Sequence, residues 1–432
     1  MSSHASHADN LAGRAFRLAG AAPDDMLALD LLRAEGFDPL PLPLAPWAMR
    51  ATSEPRPLGG SLAARFGLIY IQDPSSMLPP LMLDPPQGAA VLDLCASPGG
   101  KTGLLARLVG PDGFVLGNEP NPSRLDTLRR NLARSGLLNT ATCRHPGQDI
   151  PLPDAAWSHI LLDPPCSGWG TADKHPRVMA MWQGDKTAPL IRLQRELLAR
   201  AAALLAPGGR LLYSTCTTNP AENEDQVAWA ASELGLAVSP LAAPGGFALR
   251  EPVRPEARGC LCVSPEQGAS QGFFLALLVR SAVGPGAEAA HAASAMRSDL
   301  PGEPLAASAL DAVDLGSAPP GGIWRFKDRA LFLHAKALER LPAALRWQGA
   351  PVGRVKGGVL HPDPLARGLA PPPSDPGSGR DVDADPADLA RLLSGQSLER
   401  SGRAPFPVLR CRGRALGWLR RKGRRVLWTG RG

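Results

Sequence analysis

The stretch Asp93-Leu94-Cys95-Ala96-Ser97-Pro98-Gly99-Gly100-Lys101-Thr102 (DLCASPGGKT) joins the apolar, branched run 89–95 to an apolar-periodic segment, 102–109, through a turn of small residues. Such a junction predicts a buried strand entering a helix, with backbone N–H groups and the helix N-terminus open to close approach by a ligand. It is not a phosphate loop of the GxxxxGK[ST] kind, because Cys95 stands where that pattern needs glycine, and it is not GxGxxG. Taken alone, a glycine pair is equally consistent with a tight turn that holds nothing.

The chain on either side repeats the alternation. Residues 114–119 predict a second strand, and 123–134 a helix with Leu125, Leu128 and Leu132 on one face. Residues 141–144 and 159–163 predict further strands. A long helix follows over 190–205, stopped by Pro207-Gly208-Gly209, and 210–216 is the strand after it. Strand and helix at this spacing give an α/β fold with a parallel, doubly wound sheet, whose ligands bind beyond the carboxyl ends of the strands. Asp93, Cys95, Glu119, Asp163 and Cys216 all fall there. Glu119 stands where an acid can accept hydrogen bonds from both hydroxyls of an adenosine ribose. By itself it reads as a solvated cap; the small-residue loop in register with it points to a nucleoside cofactor.

The runs Asp163-Pro164-Pro165-Cys166-Ser167-Gly168 and Ser214-Thr215-Cys216-Thr217-Thr218-Asn219-Pro220-Ala221-Glu222-Asn223-Glu224 each set a cysteine just past a strand end. One such cysteine is ordinarily a small buried hydrophobe. Two of them converge on one crevice, and in a reducing compartment a structural disulfide is the weaker pairing.

Composition bounds the rest. At 432 residues the soft prior is about three domains. With 44% apolar and 20% charged residues the chain is neither wholly disordered nor membrane-embedded. No run approaches roughly 18 uninterrupted apolar residues, and the first ten lack the charged start and apolar run of a signal peptide, so a cytoplasmic location is expected. Seven scattered cysteines argue against a disulfide framework. Cys260 and Cys262 form a lone C-x-C, and His145, His159 and His175 are isolated, so no metal site is expected; Cys143 and Cys411 read as core. Net charge is +7, yet residues 401–432 hold ten Lys or Arg and no acid, which leaves the preceding chain slightly acidic. That concentration is a footprint for a polyanion, with a merely solvated tail as the alternative. Trp418 and Trp428 lie among those arginines, a pattern suited to stacking on RNA bases. Residues 282–322, rich in Ala, Gly, Pro and Ser, predict a linker, and 370–386 an inserted loop. The expected units are a small RNA-facing module over 1–58, helical at 26–37; a catalytic domain over 59–281; the linker; and a small β-rich module over 323–432, with strands near 406–409, 415–419 and 425–428.

Together, CASPGGKT, Glu119, DPPCSG and STCTTNPAENE resemble the Sun-family RNA cytosine-5 methyltransferases, over about residues 59–280. Gly67-Leu68-Ile69-Tyr70-Ile71-Gln72-Asp73-Pro74-Ser75-Ser76 is similar to the segment that precedes the catalytic domain in that family. The resemblance implies a Rossmann-like class I methyltransferase domain. S-adenosyl-L-methionine would lie against Cys95, Ala96, Ser97, Pro98, Gly99, Gly100 and Lys101, with Glu119 on the ribose, Asp163 beside the methionine and the target base, and Arg124 as a further contact. It implies Cys216 as nucleophile and Cys166 as the group assisting product release. The C-terminal module looks like the PUA-related domain of the branch that modifies 16S ribosomal RNA, resting on Ala415-Leu416-Gly417-Trp418 and the basic ending. The implied partner is RNA, as 16S ribosomal RNA or the 30S subunit, bound by a monomer without metal or membrane. Transfer RNA is the alternative substrate, and a non-catalytic RNA-binding assembly factor the alternative class. In two places the chain departs from the family: Pro164 stands where alanine is usual, and His145-Pro146-Gly147 stands where an acid usually meets the adenine.

Overall fold

A computed structural model describes residues 13–20, 24–172, 177–182, 184–242, 245–265, 270–282, 302–375 and 377–430. The first ten residues, His175 and residues 283–301 of the expected linker lie outside that set.

The N-terminal strands are β1 (Ala15–Leu18), β2 (Pro39–Pro41), β3 (Ala48–Ala51) and β4 (Ile69–Ile71), paired antiparallel in the order β2-β3-β1-β4. The helix expected at 26–37 spans Asp24–Ala34. Because β4 belongs to this sheet, the boundary expected at residue 58 moves beyond Ile71.

The central sheet holds β5 (Ala90–Asp93), β6 (Phe114–Asn118), β7 (Thr140–Cys143), β8 (Trp157–Leu162), β9 (Leu205–Thr215), β10 (Leu236–Ser239), β11 (Leu249–Arg250), β12 (Leu261–Val263) and β13 (Phe273–Arg280). Its order is β11-β12-β13-β9-β8-β5-β6-β7, with β10 also on β13. Strands β5 to β9 pair parallel, as the alternation predicts. β13 joins antiparallel, so the sheet is mixed, because the chain returns from β12 by a short connection where a parallel strand would need a helical crossover. The strand order reverses between β5 and β8, the switch point at which such sheets open a ligand crevice. Both faces are covered by apolar side chains, with Leu92, Leu116, Ile160 and Leu211 on one and Val91, Val115, Leu161 and Leu212 on the other. That is why these strands read as continuous apolar runs rather than alternating ones. Pro207-Gly208-Gly209 does not stop a helix: Ala188–Leu204 ends directly in β9, which passes through those residues with a register slip against β8.

Residues 302–430 form three further sheets. β14 (Glu303–Pro304), β15 (Gly321–Phe326), β16 (Arg329–His334), β17 (Ala350–Lys356) and β18 (Val359–Pro362) pair in sequence. β19 (Asp381–Asp383) runs parallel to β21 (Val408–Cys411), which pairs with β22 (Arg414–Trp418); β20 (Leu398–Glu399), β24 (Arg425–Leu427) and β23 (Arg420–Lys422) complete the last sheet. Two expectations are thereby corrected. Residues 303–322, expected as linker, contain β14 and the start of β15, and the loop expected over 370–386 contains β19 and leads into the helix Pro386–Leu393, capped by Asp385. Polar and proline-rich composition hid both, since β19 presents only Val382 to the core.

The tryptophans of the basic ending are also not stacking platforms. Trp418 is 2% exposed and donates its indole N–H to the Ala366 carbonyl at 3.0 Å. Trp428 is buried edge-on against Phe66, ring centroids 5.3 Å apart, in a core shared with Phe16 and Leu31 of the N-terminal module. Between them Arg420, Arg424 and Arg425 are exposed, while Arg421 is half-buried and donates to the carbonyls of Ala404 and Arg400. Arg367 donates to the carbonyls of Phe66, Gly67 and Ser135, and Arg412 pairs with Asp30, so the C-terminal sheets are fastened to the front of the chain. As a core residue, Trp418 changed to Ala should cost about 3–5 kcal/mol. Thermal unfolding should show a lowered midpoint, whereas an unchanged midpoint would contradict its burial.

Candidate active site

At the switch point the ends of β5, β8 and β9 bring three side chains into one polar cluster. Lys101, one residue into the helix Gly100–Leu108, places Nζ 2.6 Å from Asp163 Oδ2, and Ser214 Oγ donates to Asp163 Oδ1 at 2.9 Å. Burial works against the Lys101 ammonium, but the charge of Asp163 and its hydrogen bond outweigh it, and the lysine pKa is raised. The lysine therefore carries a full charge inside the crevice, its Nζ also 5.3 Å from the Phe273 ring centroid.

Beside this cluster Cys166 Sγ and Cys216 Sγ lie 3.1 Å apart, both only partly buried. Their titrations separate. The hydrogen bond from Cys166, with help from Lys101, holds the Cys216 thiol below its ordinary value against burial and the charge of Asp163. That same hydrogen bond, followed by burial, pushes Cys166 well up. One sulfur is thus poised as a thiolate and its neighbour as the thiol that donates to it.

A buried polar web fixes this distance. Glu222, wholly buried, accepts from Ser167 N at 2.9 Å, Ser167 Oγ at 2.5 Å, Asn219 Nδ2 at 3.0 Å and Gln194 Nε2 at 2.9 Å. Ser167 Oγ also meets Thr217 Oγ1 at 2.8 Å. The residues next to each cysteine are therefore held by one carboxylate. Asn223 braces the other side, taking the Thr215 hydroxyl at 2.5 Å and donating to the Thr217 carbonyl at 2.9 Å. Gly170 donates to the Cys216 carbonyl at 3.1 Å, and a Cβ there would stand 2.2 Å from the Gly272 carbonyl, so this approach requires glycine.

The small-residue loop faces the same crevice. Gly99 takes φ +105° at the start of the helix, and Ala96 N bonds the Asn118 carbonyl at 2.9 Å. Cys95 is partly buried, its thiol pushed well up by burial and the surrounding acids, which makes it a wall and not a nucleophile. Asp93, buried beneath the loop, is raised to about 7 by burial, partly offset by the Thr102 hydroxyl at 2.7 Å. Glu119 accepts Asn121 N at 2.9 Å, and Arg124 Nε lies 3.3 Å from its second oxygen. Arg124 also reaches the Ser97 carbonyl, so it ties the loop to the second strand end.

This donor set suits a nucleoside carrying an amino-acid group. It offers backbone N–H groups at a helix start, a strand-end carboxylate for a ribose, and a carboxylate–lysine pair for charged ends. Among the described residues no group of three or more His, Cys, Asp or Glu could hold a metal ion, and no helix is long and apolar enough to cross a membrane.

A family model described as 16S rRNA methyltransferase RsmB/F matches residues 80–279. The chain is 34% identical to ribosomal RNA small subunit methyltransferase F of Klebsiella pneumoniae over 333 residues, which are 74% of this chain and 69% of that protein. The chain belongs to the RsmB/F family. With the protein of the same description from Cronobacter sakazakii it shares 37% identity over 254 residues, 57% of this chain but 52% of the relative, so the match spans about half of that length. Among solved structures, a methyltransferase homolog from Pyrococcus horikoshii aligns with TM-score 0.54 at 32% identity, covering 62% of this chain and 86% of that one.

Of the residues expected at the site, the structure brings Cys166 against Cys216, Asp163 against Lys101, and Arg124 between Glu119 and Ser97. Sequence reasoning missed Ser214, Glu222 and Gln194, although the first two lie inside the quoted motifs; their role exists only across strands. It also missed Arg17 of the N-terminal module. Buried Arg17 donates to Gln72 Oε1 at 3.1 Å and the Gly100 carbonyl at 3.3 Å beside the Tyr70 ring, with burial lowering its pKa to about 10. At this point the module, expected to face RNA, buttresses the loop. Where the family usually has an acid after β7, His145 N bonds Asn118 Oδ1 and its ring meets the Leu345 carbonyl, so the C-terminal chain supplies that wall.

Two outcomes are expected. Alkylation of Cys216 by iodoacetamide should follow a pH profile centred below that of an ordinary thiol, because the thiolate persists to lower pH. Lys101→Ala should shift the profile upward by roughly one unit, as the nearby positive charge is lost; an unshifted profile would exclude Lys101 as a cause. Glu222→Ala should destabilise the protein by about 3 kcal/mol or more, read by chemical unfolding, since four buried donors lose their acceptor. A neutral change would mean the web does not set the cysteine loops.

Proposed function

We propose that the protein transfers a methyl group from S-adenosyl-L-methionine to carbon 5 of a cytosine in RNA, with 16S ribosomal RNA as the substrate. The observation that carries this reading is the pair of sulfurs 3.1 Å apart beside the Lys101–Asp163 pair, at the mouth of the small-residue loop. S-adenosyl-L-methionine supplies an electrophilic methyl on a sulfonium. Residues 95–101 and Glu119 would bind it, with Asp163 beside its amino-acid end.

Carbon 5 of cytosine is a poor nucleophile until the ring is made electron-rich. The Cys216 thiolate adds at carbon 6; the ring electrons move toward carbon 5, and Asp163 is placed to favour protonation at the ring nitrogen. After transfer, the proton on carbon 5 must leave so that its bonding pair can expel Cys216 and restore the aromatic ring. Cys166 is built for this second step. While Cys216 is a thiolate, its hydrogen bond keeps Cys166 protonated; once Cys216 is bonded to carbon its charge is gone, the partly exposed Cys166 gives its proton to solvent, and the resulting thiolate takes the proton from carbon 5. The base is turned out of its stack so that Cys216 reaches its face. We also assign the sheets of residues 303–427 to RNA binding, as a PUA-like counterpart to the catalytic domain. The two sulfurs in contact argue against a non-catalytic assembly factor.

The substitutions separate the roles. Cys216→Ala should abolish methyl transfer to small-subunit RNA, and Cys166→Ala should accumulate a covalent protein–RNA species seen as a shifted band under denaturing conditions. The reverse pattern would exchange the two assignments, and full activity in both would end the covalent reading.

A further inference from the structure

The C-terminal region carries a cleft that the catalytic reading does not use. It has a volume of about 540 Å³ and lies between the β16–β18 face and the chain around Phe406 and β23. Its size falls within the rough 300–1,000 Å³ range of small-ligand sites. Arg329, Arg354 and Lys356 rise from one wall and Arg420 from the other, all exposed. On the floor the partly buried ring of Phe406 meets that of His361, with centroids 4.9 Å apart and planes at 60°. Asp363 is the acid lining the cleft, and its carboxylate is turned to its own chain by the Leu365 N–H at 2.9 Å, while Asp328 outside the cleft pairs with Arg354. The cleft is therefore strongly cationic around an aromatic floor. In keeping with this, burial and then the charges of Lys356 and Arg420 both press His361 toward its neutral form.

The cleft also abuts the catalytic sheet. Gln348, on its lining, exchanges two backbone hydrogen bonds of 2.8 Å with Thr142 of β7, the edge strand of the catalytic sheet. Arg346, two residues before Gln348, helps line a second hollow of about 620 Å³ with Arg129, Arg144 and Asp126. Cations spaced along a groove with one aromatic platform match the chemistry of an unpaired RNA strand, whose phosphates take the charges and whose base takes the ring.

We propose that this cleft holds a single-stranded segment of the RNA substrate, one base against Phe406 and its phosphates on Lys356, Arg420 and Arg329, with the strand leading over Gln348 toward the catalytic sheet. This rests on the RNA reading above and adds to it a second contact away from the transferred methyl. The platform is Phe406; the tryptophans are committed to the core.

The test is direct binding of a fluorescent single-stranded oligoribonucleotide to the full chain, with a salt series, which needs no methyl transfer. The double variant Lys356→Ala, Arg420→Ala should weaken binding at least tenfold and reduce the slope of log K against log salt by roughly 1.4, about 0.7 for each phosphate that is no longer neutralised. Phe406→Ala should weaken it by about fivefold or more while leaving the slope unchanged. Arg424→Ala, exposed outside the cleft, should change affinity by less than the pair does and serves as the charge control. A loss equal in all variants, or in none, overturns the cleft. Methyl transfer to small-subunit RNA by the unaltered chain is measured in parallel. If it fails while the cleft variants still bind RNA less tightly, the proposed activity falls and the cleft stands.

Discussion

The ion pair between Lys101 and Asp163 is the constraint on which the site depends. It joins the helix after β5 to the end of β8, and Ser214 extends it to β9, so one cluster spans both sides of the switch point. A partly buried lysine and carboxylate cost desolvation energy that their attraction roughly repays when geometry is good. The pair is accordingly a poor source of stability, and its value lies in placing a fixed positive charge beside Cys216. The two cysteines are kept chemically distinct by that charge and by their mutual hydrogen bond, and the Glu222 web keeps them in contact.

Much of this was legible in the sequence because local patterns set it. The strand-to-helix junctions at residues 95–101, Glu119 and Asp163 lie where apolar runs end in small or acidic residues, and a parallel sheet brings all such ends to one edge. The contact between Cys166 and Cys216 follows from the pairing of β8 with β9. Tertiary partners were not legible. Glu222 in an Asn-rich run reads as a solvated acid, and only the fold surrounds it with Ser167, Asn219 and Gln194. Arg17 gives no local sign that it ends beneath Gly100, since that contact crosses between two sheets.

The C-terminal region misled for a physical reason. Trp418 and Trp428 between arginines have the composition of a stacking surface, yet both rings pack into the core while Arg420, Arg424 and Arg425 stay exposed. Charge density along the chain marks the stretch as basic but does not say which of its side chains face solvent. Composition likewise extended the linker over β14 and made a loop of β19, because short edge strands with at most one buried side chain barely raise local hydropathy. The N-terminal and C-terminal modules share a core through Phe66 and Trp428, so the catalytic sheet is held in a frame built from both ends of the chain.

The central claim is that Cys216 bonds transiently to a cytosine ring. Substrate RNA bearing 5-fluorocytosine, which has no carbon-5 proton to surrender after transfer, would arrest the reaction at that bond. Mass spectrometry of the digested complex should place the nucleotide on the peptide containing Cys216, with the methyl group already added. An adduct on the Cys166 peptide, or none from a preparation that methylates ordinary RNA, would contradict the account.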